Sequence, residues 1–489
     1  MNPTRRSPVR SPLLQPTPWR APPWRCAAMA AIAATLSACA VGPDYVRPSA
    51  AAPAAFKEAP ATDAGWFPAA PADTLERGAW WQLFGDAGLD TLVAQVEVSN
   101  QNVAAAVAAY AQARSLVRLQ RAALFPSVAL DAGAKRSGGG ASIGAADSLQ
   151  LGAAASWAPD LWGKLGRGVE GAQASAQASA ADLAAARLSA QGEVAIDYSA
   201  LRDADAELAL VRATIAGYER ALTITGNRYA AGIAPRTDVL QAQTQLANTR
   251  ADLAALTNQR AQLEHAIAVL IGKAPADFTL PPAPWNRTVP AVPLALPSEL
   301  LQRRPDIASA ERAVAAANAQ IGIQRSAYFP SLALSGSFGS GGSRVADLFS
   351  ASNSLWSLGL SVAQTVFDAG ATRARVEGAQ AARDAAVARY RQTVLTAFQA
   401  VDDQLASARA LADQAASRAA ASQAADLTEQ QLLNQYQAGQ VAYTSVVTAQ
   451  ASALSARRTL AQLAASRQAA AIALIQALGG GWQAPPGAP

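Results

Sequence analysis

The sequence contains one unit twice, and this duplication limits the possible folds more than any other feature. The six residues at 169–174 recur letter for letter at 376–381, an offset of 207 residues. Upstream of them, Phe125-Pro126-Ser127 recurs at 329–331 with an offset of 204 residues. Solenoid repeats have periods of roughly 20–50 residues, so this much longer period indicates a single body built from two equivalent halves.

Composition favours a mainly helical protein without affinity for nucleic acid. Alanine supplies much of the apolar fraction of 51%, whereas aromatic residues make up only 6% of the chain, and alanine has the highest helix propensity. The formal net charge of +5 comes from the five arginines within residues 1–38, a segment without Asp or Glu. The rest of the chain is formally neutral, which gives no electrostatic basis for binding nucleic acid.

The start of the chain has the features of an export signal. Residues 1–38 combine an Arg-rich beginning with an apolar stretch. The segment Leu36-Ser37-Ala38-Cys39 resembles a bacterial lipobox and predicts lipidation of Cys39, with palmitate among the acyl chains. The alternative is an ordinary signal followed by an unmodified cysteine. Ala40 favours the outer membrane, and Cys26 lies inside the signal, so no disulfide framework is expected.

Two stretches alternate apolar and small residues with a period of two, which is typical of strands with one apolar face. They predict β-hairpins at about 125–161 and 329–367. Small polar residues on the second face suit a water-filled lumen, as in membrane barrels; the alternative is a soluble hairpin packed on a core. The residues predicted to face lipid are Val128, Leu130, Leu149, Leu151, Leu332, Leu334, Leu358, Leu360 and Val362.

Two long segments, 164–229 and 371–436, each contain 66 residues without proline. As helices they would be about 100 Å long, and apolar residues recur every seven positions along the first, which is typical of a coiled-coil seam. Each is followed by a glycine-containing turn and a return helix, at 236–272 and 443–478. Two strand hairpins thus alternate with two long helical hairpins.

Four strands are too few to close a barrel, and open sheet edges are not tolerated in lipid. The chain is therefore expected to form oligomers. Three copies would supply about twelve strands, a number within the range of membrane barrels.

The sequence offers no candidate catalytic residue, metal site or cofactor site. His265 is the only histidine, and a single histidine within a helix is more often packed or solvated than catalytic. The glycine-rich stretches at 138–140 and 339–342 lack the lysine of a phosphate-binding loop. The chain is predicted not to be an enzyme.

Short motifs in a fixed order resemble the TolC-like outer-membrane factors, in particular the NodT-type lipoproteins of tripartite efflux pumps. The motifs are Cys39 through Tyr45, Phe125-Pro126-Ser127, Asp160-Leu161-Trp162-Gly163, Asp238-Val239-Leu240, Arg303-Arg304-Pro305-Asp306-Ile307, Phe329-Pro330-Ser331 and Phe367-Asp368-Ala369-Gly370. The resemblance implies a mainly α fold with a pair of β-hairpins. In the trimer, a twelve-stranded transmembrane β-barrel would continue into a long α-helical coiled-coil periplasmic tunnel.

The resemblance also implies partners and a location. The partners are two further copies of the chain in a homotrimer, a periplasmic adaptor protein, an inner-membrane transporter and outer-membrane lipid. The expected location is the outer membrane of a Gram-negative bacterium, with a lipid anchor and a body that extends into the periplasm. The implied function is a passive exit duct for small toxic compounds or drugs. A duct for type I protein secretion and a trimeric coiled-coil surface scaffold are the alternatives.

The resemblance places adaptor docking at the two tips, where the long helices turn. The tip residues are Tyr229, Gly232, Asp238, Tyr436, Gly439 and Ser445. Two roles for Asp238 stay open: a threefold ring of carboxylates, implied by the resemblance, and the N-cap of a capping box with Gln241. Ser445 stands where Asp238 would recur, and serine is also a good cap.

Together these features predict the division of the chain. It comprises a signal at 1–38, a lipidated strap at 39–88, a first repeat at 89–272, a Pro-rich linker at 273–297, a second repeat at 298–479 and a tail at 480–489. The first repeat is expected to begin with a single helix at about 89–123.

Overall fold

The computed structural model describes residues 40–53, 55–58, 79–139, 143–290, 292 and 303–480. The predicted signal and its lipidation site Cys39 lie outside the described residues. The described chain divides into two compact units. The sheet unit comprises the described residues of 40–42, 124–167 and 322–372, and the helical unit comprises those of 43–123, 168–321 and 373–480.

Seven α-helices occur in the described ranges. They are α1 (Ala87–Ser99), α2 (Gln101–Ala122), α3 (Lys164–Ala230), α4 (Arg236–Leu270), α5 (Pro305–Arg325), α6 (Ala371–Gln437) and α7 (Tyr443–Ala477). The long helices α3 and α6 both have 67 residues, and the return helices α4 and α7 both have 35. None of the helices in these ranges has the length and hydropathy needed to cross a membrane.

The sheet unit contains β1 (Ser127–Gly139), β2 (Ile143–Trp157), β3 (Ser331–Gly342) and β4 (Ser354–Ala363). They form one four-stranded sheet in the order β1-β2-β3-β4, and all neighbouring strands are antiparallel. The hairpin of the first half is thus joined to the hairpin of the second half through β2 and β3.

The strand register places all nine residues predicted to face lipid on one face of the sheet. Directly opposed residues share a face, and Leu130 lies opposite Ala153. Leu334 lies between Trp157 of β2 and Leu360 of β4, which links the faces of the two hairpins. Most of this face is open in the single chain, with Leu130 at 84% exposure.

The opposite face of the sheet carries mostly small side chains, and its larger ones include Asp131, Lys135, Gln150 and Leu355. The hydroxyls of Ser127 and Ser156 lie 2.8 Å apart, and those of Ser337 and Ser357 also lie 2.8 Å apart. These cross-strand pairs stabilise the sheet. They also give it a wettable surface opposite the apolar one.

Asn100 divides the first helical stretch of the chain in two. Its Oδ1 accepts a hydrogen bond from the backbone N–H of Val103 at 3.0 Å and so caps α2. Its Nδ2 donates to the carbonyl of Leu270, at the end of α4, at 2.6 Å. The prediction of one helix at about 89–123 is wrong, because an asparagine with extended backbone ends α1 and begins α2.

In the helical unit, each half of the chain packs on its own helical hairpin. α2 packs on α3 through a cluster that includes Val103 and Leu201. α5 packs on α6 through a cluster that includes Ile307 and Val401. Val103 and Ile307 are equivalent at the offset of 204 residues, and they are 2% and 0% exposed. The duplicated sequence thus places equivalent residues in equivalent cores.

Arg260 stands in an otherwise apolar row of α4 and forms two ion pairs. Its Nε donates to Asp205 at 2.7 Å and its NH1 donates to Glu264 at 2.9 Å. Arg260 also donates to the backbone carbonyl of Leu280, whose N–H donates to Glu264. The arginine therefore ties the segment that follows α4 to both α3 and α4.

Asp203 on α3 is a partly buried carboxyl with one oxygen that has no hydrogen-bond partner. Burial is the largest cause that raises its pKa to about 7, and the carboxylate of Glu207 adds to the shift. Arg287 and Arg458 oppose the shift, but Arg458 forms an ion pair with Glu207, with its Nε 3.0 Å from Oε2 of Glu207. Ionisation of Asp203 at neutral pH therefore destabilises the folded state.

We expect Asp203→Asn to stabilise the protein above pH 7 and to have little effect at pH 4. The folded pKa lies above the ordinary value of 3.8, so the contribution of Asp203 to stability falls as the pH rises from about 4 to about 7. Asparagine removes that loss. The shift sets an upper limit of about 4 kcal/mol, and because the group is only partly buried we expect a gain of about 1–2 kcal/mol.

Thermal unfolding between pH 4 and pH 8 measures this difference. Asp384→Asn is the control, since the Asp384 side chain is 73% exposed. A gain for Asp203→Asn that is the same at both ends of the pH range would contradict the assignment.

Candidate functional site

The turn between α3 and α4 ends α3 with a glycine in the left-handed conformation. Gly232 has a φ of 72°, and its N–H donates to the carbonyl of Tyr229 at 2.9 Å. The N–H of Ile233 donates to the carbonyl of Arg228 at 2.8 Å. This pair of bonds is the Schellman motif, which satisfies carbonyls in the last turn of a helix.

The turn between α6 and α7 repeats this geometry. Gly439 has a φ of 76°, and its N–H donates to the carbonyl of Tyr436 at 2.9 Å. The N–H of Gln440 donates to the carbonyl of Gln435, also at 2.9 Å. Both turns need glycine because L side chains rarely adopt this φ.

The N-cap interpretation of Asp238 is wrong. α4 begins after Pro235, which occupies the N-cap position, so Asp238 is the third residue of the helix. Proline sets φ near the helical value and lacks an N–H, so it starts the helix earlier than the sequence pattern predicts. A carboxylate in the first turn is still favoured by the helix dipole. Ser445 has the equivalent place in α7, whose N-cap is Ala442.

Tyr436 joins the two turns. Its hydroxyl donates to Oδ2 of Asp238 at 3.2 Å, and the guanidinium carbon of Arg228 lies 4.8 Å from the centre of its ring. The ring of Tyr443 lies 5.0 Å from the ring of Tyr436, centre to centre. Arg228 also donates to the carbonyl of Gln437 at 3.0 Å. We call Arg228, Asp238, Tyr436 and Tyr443 the tip cluster.

The predicted tip residues fall into two groups. Asp238 and Tyr436 meet in the tip cluster, and Tyr436 is 3% exposed, so its side chain offers little surface to a partner. Tyr229, its equivalent in the first half, is 48% exposed. Ser445 lines an open groove of about 490 Å³ between α6 and α7. The two halves share the backbone of the turn but not the surroundings of its side chains.

The sequence patterns do not identify Arg228 and Tyr443 as tip residues. Both stand where the two halves differ, since their equivalents are Gln435 and Arg236. A position-by-position comparison of the two copies is the signal that identifies them. Tyr436 is shared by the copies as Tyr229, but these two differing residues cover the ring of Tyr436 only.

The tyrosines of the tip cluster stay protonated at neutral pH. Burial raises the pKa of Tyr436, and the Asp238 carboxylate adds to the shift. Burial is also the largest cause that raises the pKa of Tyr443 to about 12. Tyr436 can therefore donate its hydrogen bond to Asp238 throughout the physiological range. A hydrogen bond to a charged group contributes about 1.5–3 kcal/mol.

The tip cluster holds two helical hairpins together and lacks the chemistry of a reaction centre. Its polar contacts are one hydroxyl–carboxylate bond and one arginine that covers a ring and binds a carbonyl. Within the described ranges no group of three or more His, Cys, Asp or Glu residues is placed to hold a metal ion. The arrangement can keep the two turns together or, when its bonds break, let them separate.

Tyr436→Phe is expected to loosen the contact between the turns by about 1–2 kcal/mol, because it removes the hydroxyl that binds Asp238. Hydrogen exchange of the amides at 432–446 should become about tenfold faster, since about 1.4 kcal/mol corresponds to a factor of ten. Tyr229→Phe is the matched control, because Tyr229 is the equivalent residue without these contacts. Equal exchange rates in the two variants would show that the bond to Asp238 does not hold the turns.

Known proteins are similar to this chain in sequence and in architecture. The sequence profile of the family described as "Outer membrane efflux protein" matches residues 92–273 and 296–480. The chain is 30% identical over 456 residues to the cation efflux system protein CusC of Escherichia coli O6:H1. The aligned residues make up 92% of this chain and 98% of CusC. It is 30% identical over 465 residues to the toluene efflux pump outer membrane protein TtgC of Pseudomonas putida. The aligned residues make up 93% of this chain and 95% of TtgC.

A solved structure gives the same result. The outer-membrane channel OprN matches with a TM-score of 0.82 and 31% identity, over 91% of this chain and 100% of that chain. The predictions of a TolC-like fold, of an outer-membrane channel of an efflux system and of a protein that is not an enzyme are confirmed. The family profile matches more than half of the residues, once in each half of the duplicated chain, and the chain therefore belongs to the outer membrane efflux protein family.

Proposed function

We propose that the protein is the exit duct of a tripartite efflux pump. In this proposal three copies form a lipid-anchored homotrimer that passes small solutes passively to the outside. A periplasmic adaptor and an inner-membrane transporter deliver the solutes. The observation that carries the proposal is that α2 is uncovered where its equivalent α5 is buried.

The two helices differ position by position. Glu311 and Ala319 of α5 are 6% and 0% exposed, whereas their equivalents Val107 and Ser115 in α2 are exposed, Val107 at 45%. Leu119 on α2 is 62% exposed. Apolar residues that cluster on an open face indicate an interaction surface. The internal repeat supports one occupant for this face, a second copy of the chain.

The helix that packs against α5 within the chain indicates which helix would pack against α2 between copies. A Cβ at Gly171 of α3 would lie 3.5 Å from Cβ of Ala319, so α3 of the first half lies against α5 of the second half. The equivalent of Gly171 in α6 is Gly378, where a Cβ would meet no heavy atom within 4 Å. We therefore expect α6 of one copy to cover α2 of the next copy, with Gly378 beside Ser115.

The sheet supports the same assembly. β1 and β4 are its edge strands in the order of the described strands, and pairing β4 of one copy with β1 of the next would repeat the antiparallel contact of β2 with β3. Unpaired edges are not tolerated in lipid. Three four-stranded sheets would close a barrel of about twelve strands. The nine apolar residues would then face lipid, and the serine-rich face would line the lumen.

Small solutes are the favoured cargo. The names of the relatives refer to cation efflux and to toluene efflux, and neither cargo is a protein. The lumen face of the proposed barrel offers serine hydroxyls in cross-strand pairs, which suit water and dissolved solutes. A duct for protein secretion and a surface scaffold have no comparable support.

The two turns are the proposed docking surface for the adaptor. Gly232 and Gly439 lie at exposed positions of the turns, and Tyr229 and Ile233 beside the first glycine are 48% and 66% exposed. Ends of helical hairpins can enter or receive grooves between helices of a partner. Asp238 holds the turns together through Tyr436 in this proposal.

A disulfide between Ser115→Cys and Gly378→Cys tests the proposed trimer contact. The equivalent pair inside the chain, Gly171 and Ala319, has Cβ positions 3.5 Å apart, which lies in the range of disulfides. Oxidation of the double variant is expected to give dimers and trimers on non-reducing gels. Each single variant should stay monomeric on the same gels.

The double variant Gly171→Cys with Ala319→Cys is the matched control, because its disulfide forms within one chain and adds no mass. The signal cysteine Cys26 and the lipidation site Cys39 are the natural cysteines, so few competing thiols are present. A Ser115–Gly378 variant that stays monomeric while the control pair oxidises would refute the contact.

Bulky charged residues at the turns are expected to abolish efflux. Gly232→Arg with Gly439→Arg should lower resistance to a pumped compound at least about tenfold in cells with the cognate adaptor and pump, while the trimer stays intact, because the arginines obstruct groove contacts. Gly232→Asn with Gly439→Asn is the control for backbone strain, since asparagine tolerates the left-handed conformation. Full resistance in the arginine variant would place docking elsewhere.

A further inference from the structure

The first described residues are fixed to the sheet unit by their backbone. The N–H of Val41 donates to the carbonyl of Trp162 at 3.0 Å. Trp162 follows β2 by a few residues and precedes α3. This bond places the chain that directly follows Cys39 at the end of the sheet where β2 ends and β3 begins.

Three glycines make this contact possible. Gly163 has a φ of 75°, and a Cβ there would lie 3.0 Å from both Cα and Cβ of Ala40. Gly42 has a φ of 117°, and a Cβ there would lie 2.6 Å from Cα of Gly322. A Cβ at Gly322 would lie 2.8 Å from the carbonyl oxygen of Val41. Backbone crosses backbone here, and no side chain fits between. We call residues 40–42, with Gly163 and Gly322, the backbone clamp.

A partly exposed aromatic pair lies beside the backbone clamp. The ring of Trp162 stacks on Phe329, with the ring centres 4.9 Å apart and the planes 24° apart. The Trp162 Nε1–H donates to the carbonyl of Pro330 at 2.6 Å, which fixes the indole. Phe329 remains 38% exposed. The pair therefore presents an apolar surface with a fixed orientation.

We propose that the backbone clamp delivers the acyl chains of Cys39 to the Trp162–Phe329 pair. The inference rests on the lipid anchor of the proposed function. Consecutive Cα atoms are about 3.8 Å apart, so an anchor on Cys39 would be attached one residue from Ala40, which lies against Gly163. Acyl chains gain about 0.8 kcal/mol for each CH₂ that leaves water. The pair is the apolar surface that the described contacts place next to their attachment point.

The clamp changes what the anchor does. A flexible linker would let the lipid move through a distance that grows with the square root of its length. A clamped anchor instead fixes the depth of one end of the sheet relative to the lipid, because the attachment point and the strand ends move as one. The anchor then positions the sheet in the membrane rather than merely tethering the protein.

The duplication supplies a matched control. Gly370 is the equivalent of Gly163 in the second half and has a φ of 88°, but a Cβ there would meet no heavy atom within 4 Å. Alanine therefore causes similar backbone strain at both positions. It collides with Ala40 only at Gly163.

The test uses the full-length protein in outer-membrane vesicles with p-benzoylphenylalanine as a photo-crosslinker. Placed at Phe329, it should capture acyl groups of the Cys39 peptide of the same chain, detected by mass spectrometry. Placed at Phe338, which is 65% exposed and lies within β3, nine residues further along the chain, it should capture only bulk phospholipid. Gly163→Ala should cause loss of the Cys39 adduct at Phe329, and Gly370→Ala should leave it intact.

The outcomes separate the clamp from the anchor. Acylated Cys39 with phospholipid as the only adduct at Phe329 would overturn the clamp and leave the lipid-anchored duct in place. An N-terminal peptide without acyl groups would overturn both the clamp and the lipid anchor. Equal amounts of the Cys39 adduct at Phe329 and Phe338 would also overturn the clamp, because the acyl chains would then not be directed to the Trp162–Phe329 pair. The comparison of these two positions in the otherwise unchanged chain does not depend on the folding of any glycine variant.

Discussion

Unpaired backbone groups at the two edges of the sheet are the constraint on which the rest of the structure depends. The sheet has one apolar face and ends in β1 on one side and β4 on the other. Within a bilayer such edges need partners, and a four-stranded sheet has no way to supply them alone. The duplication already provides one contact of the kind that is needed, because β2 of the first half pairs with β3 of the second half. The proposed trimer uses that same contact between copies.

The helical unit also has one covered and one uncovered surface, but here the contact is side-chain packing instead of backbone hydrogen bonding. α5 is buried because α3 lies against it, with the added Cβ of Gly171 at van der Waals distance from Ala319. α2 lacks this neighbour within the chain and leaves Val107 and Leu119 open. In the proposed trimer, each of these contacts would occur once within a chain and once between two copies.

The halves have diverged where they touch each other at the turns. Tyr229 and Tyr436 have the same backbone setting, yet only Tyr436 is covered, by Arg228 and Tyr443 and by its bond to Asp238. The equivalents of these partners are residues of other types. The contact between the two turns of one chain therefore depends on positions at which the two halves differ.

The sequence by itself determined the features that depend on local periodicity. The offsets of 204 and 207 residues established the two halves, and period two assigned nine apolar residues to one sheet face, as the strand register shows. Long stretches without proline predicted the two helices of 67 residues. Each of these properties repeats along the chain, so neighbouring residues suffice to reveal it.

Only the tertiary structure decided which distant residues meet. Asn100 separates α1 from α2 and also binds the carbonyl of Leu270, and Asp238 is a partner of Tyr436 rather than an N-cap. The uncovered face of α2 became visible only beside its buried equivalent α5. Such contacts join segments about a hundred or more residues apart, and no local period records them, because they depend on where the packed helices bring single side chains together.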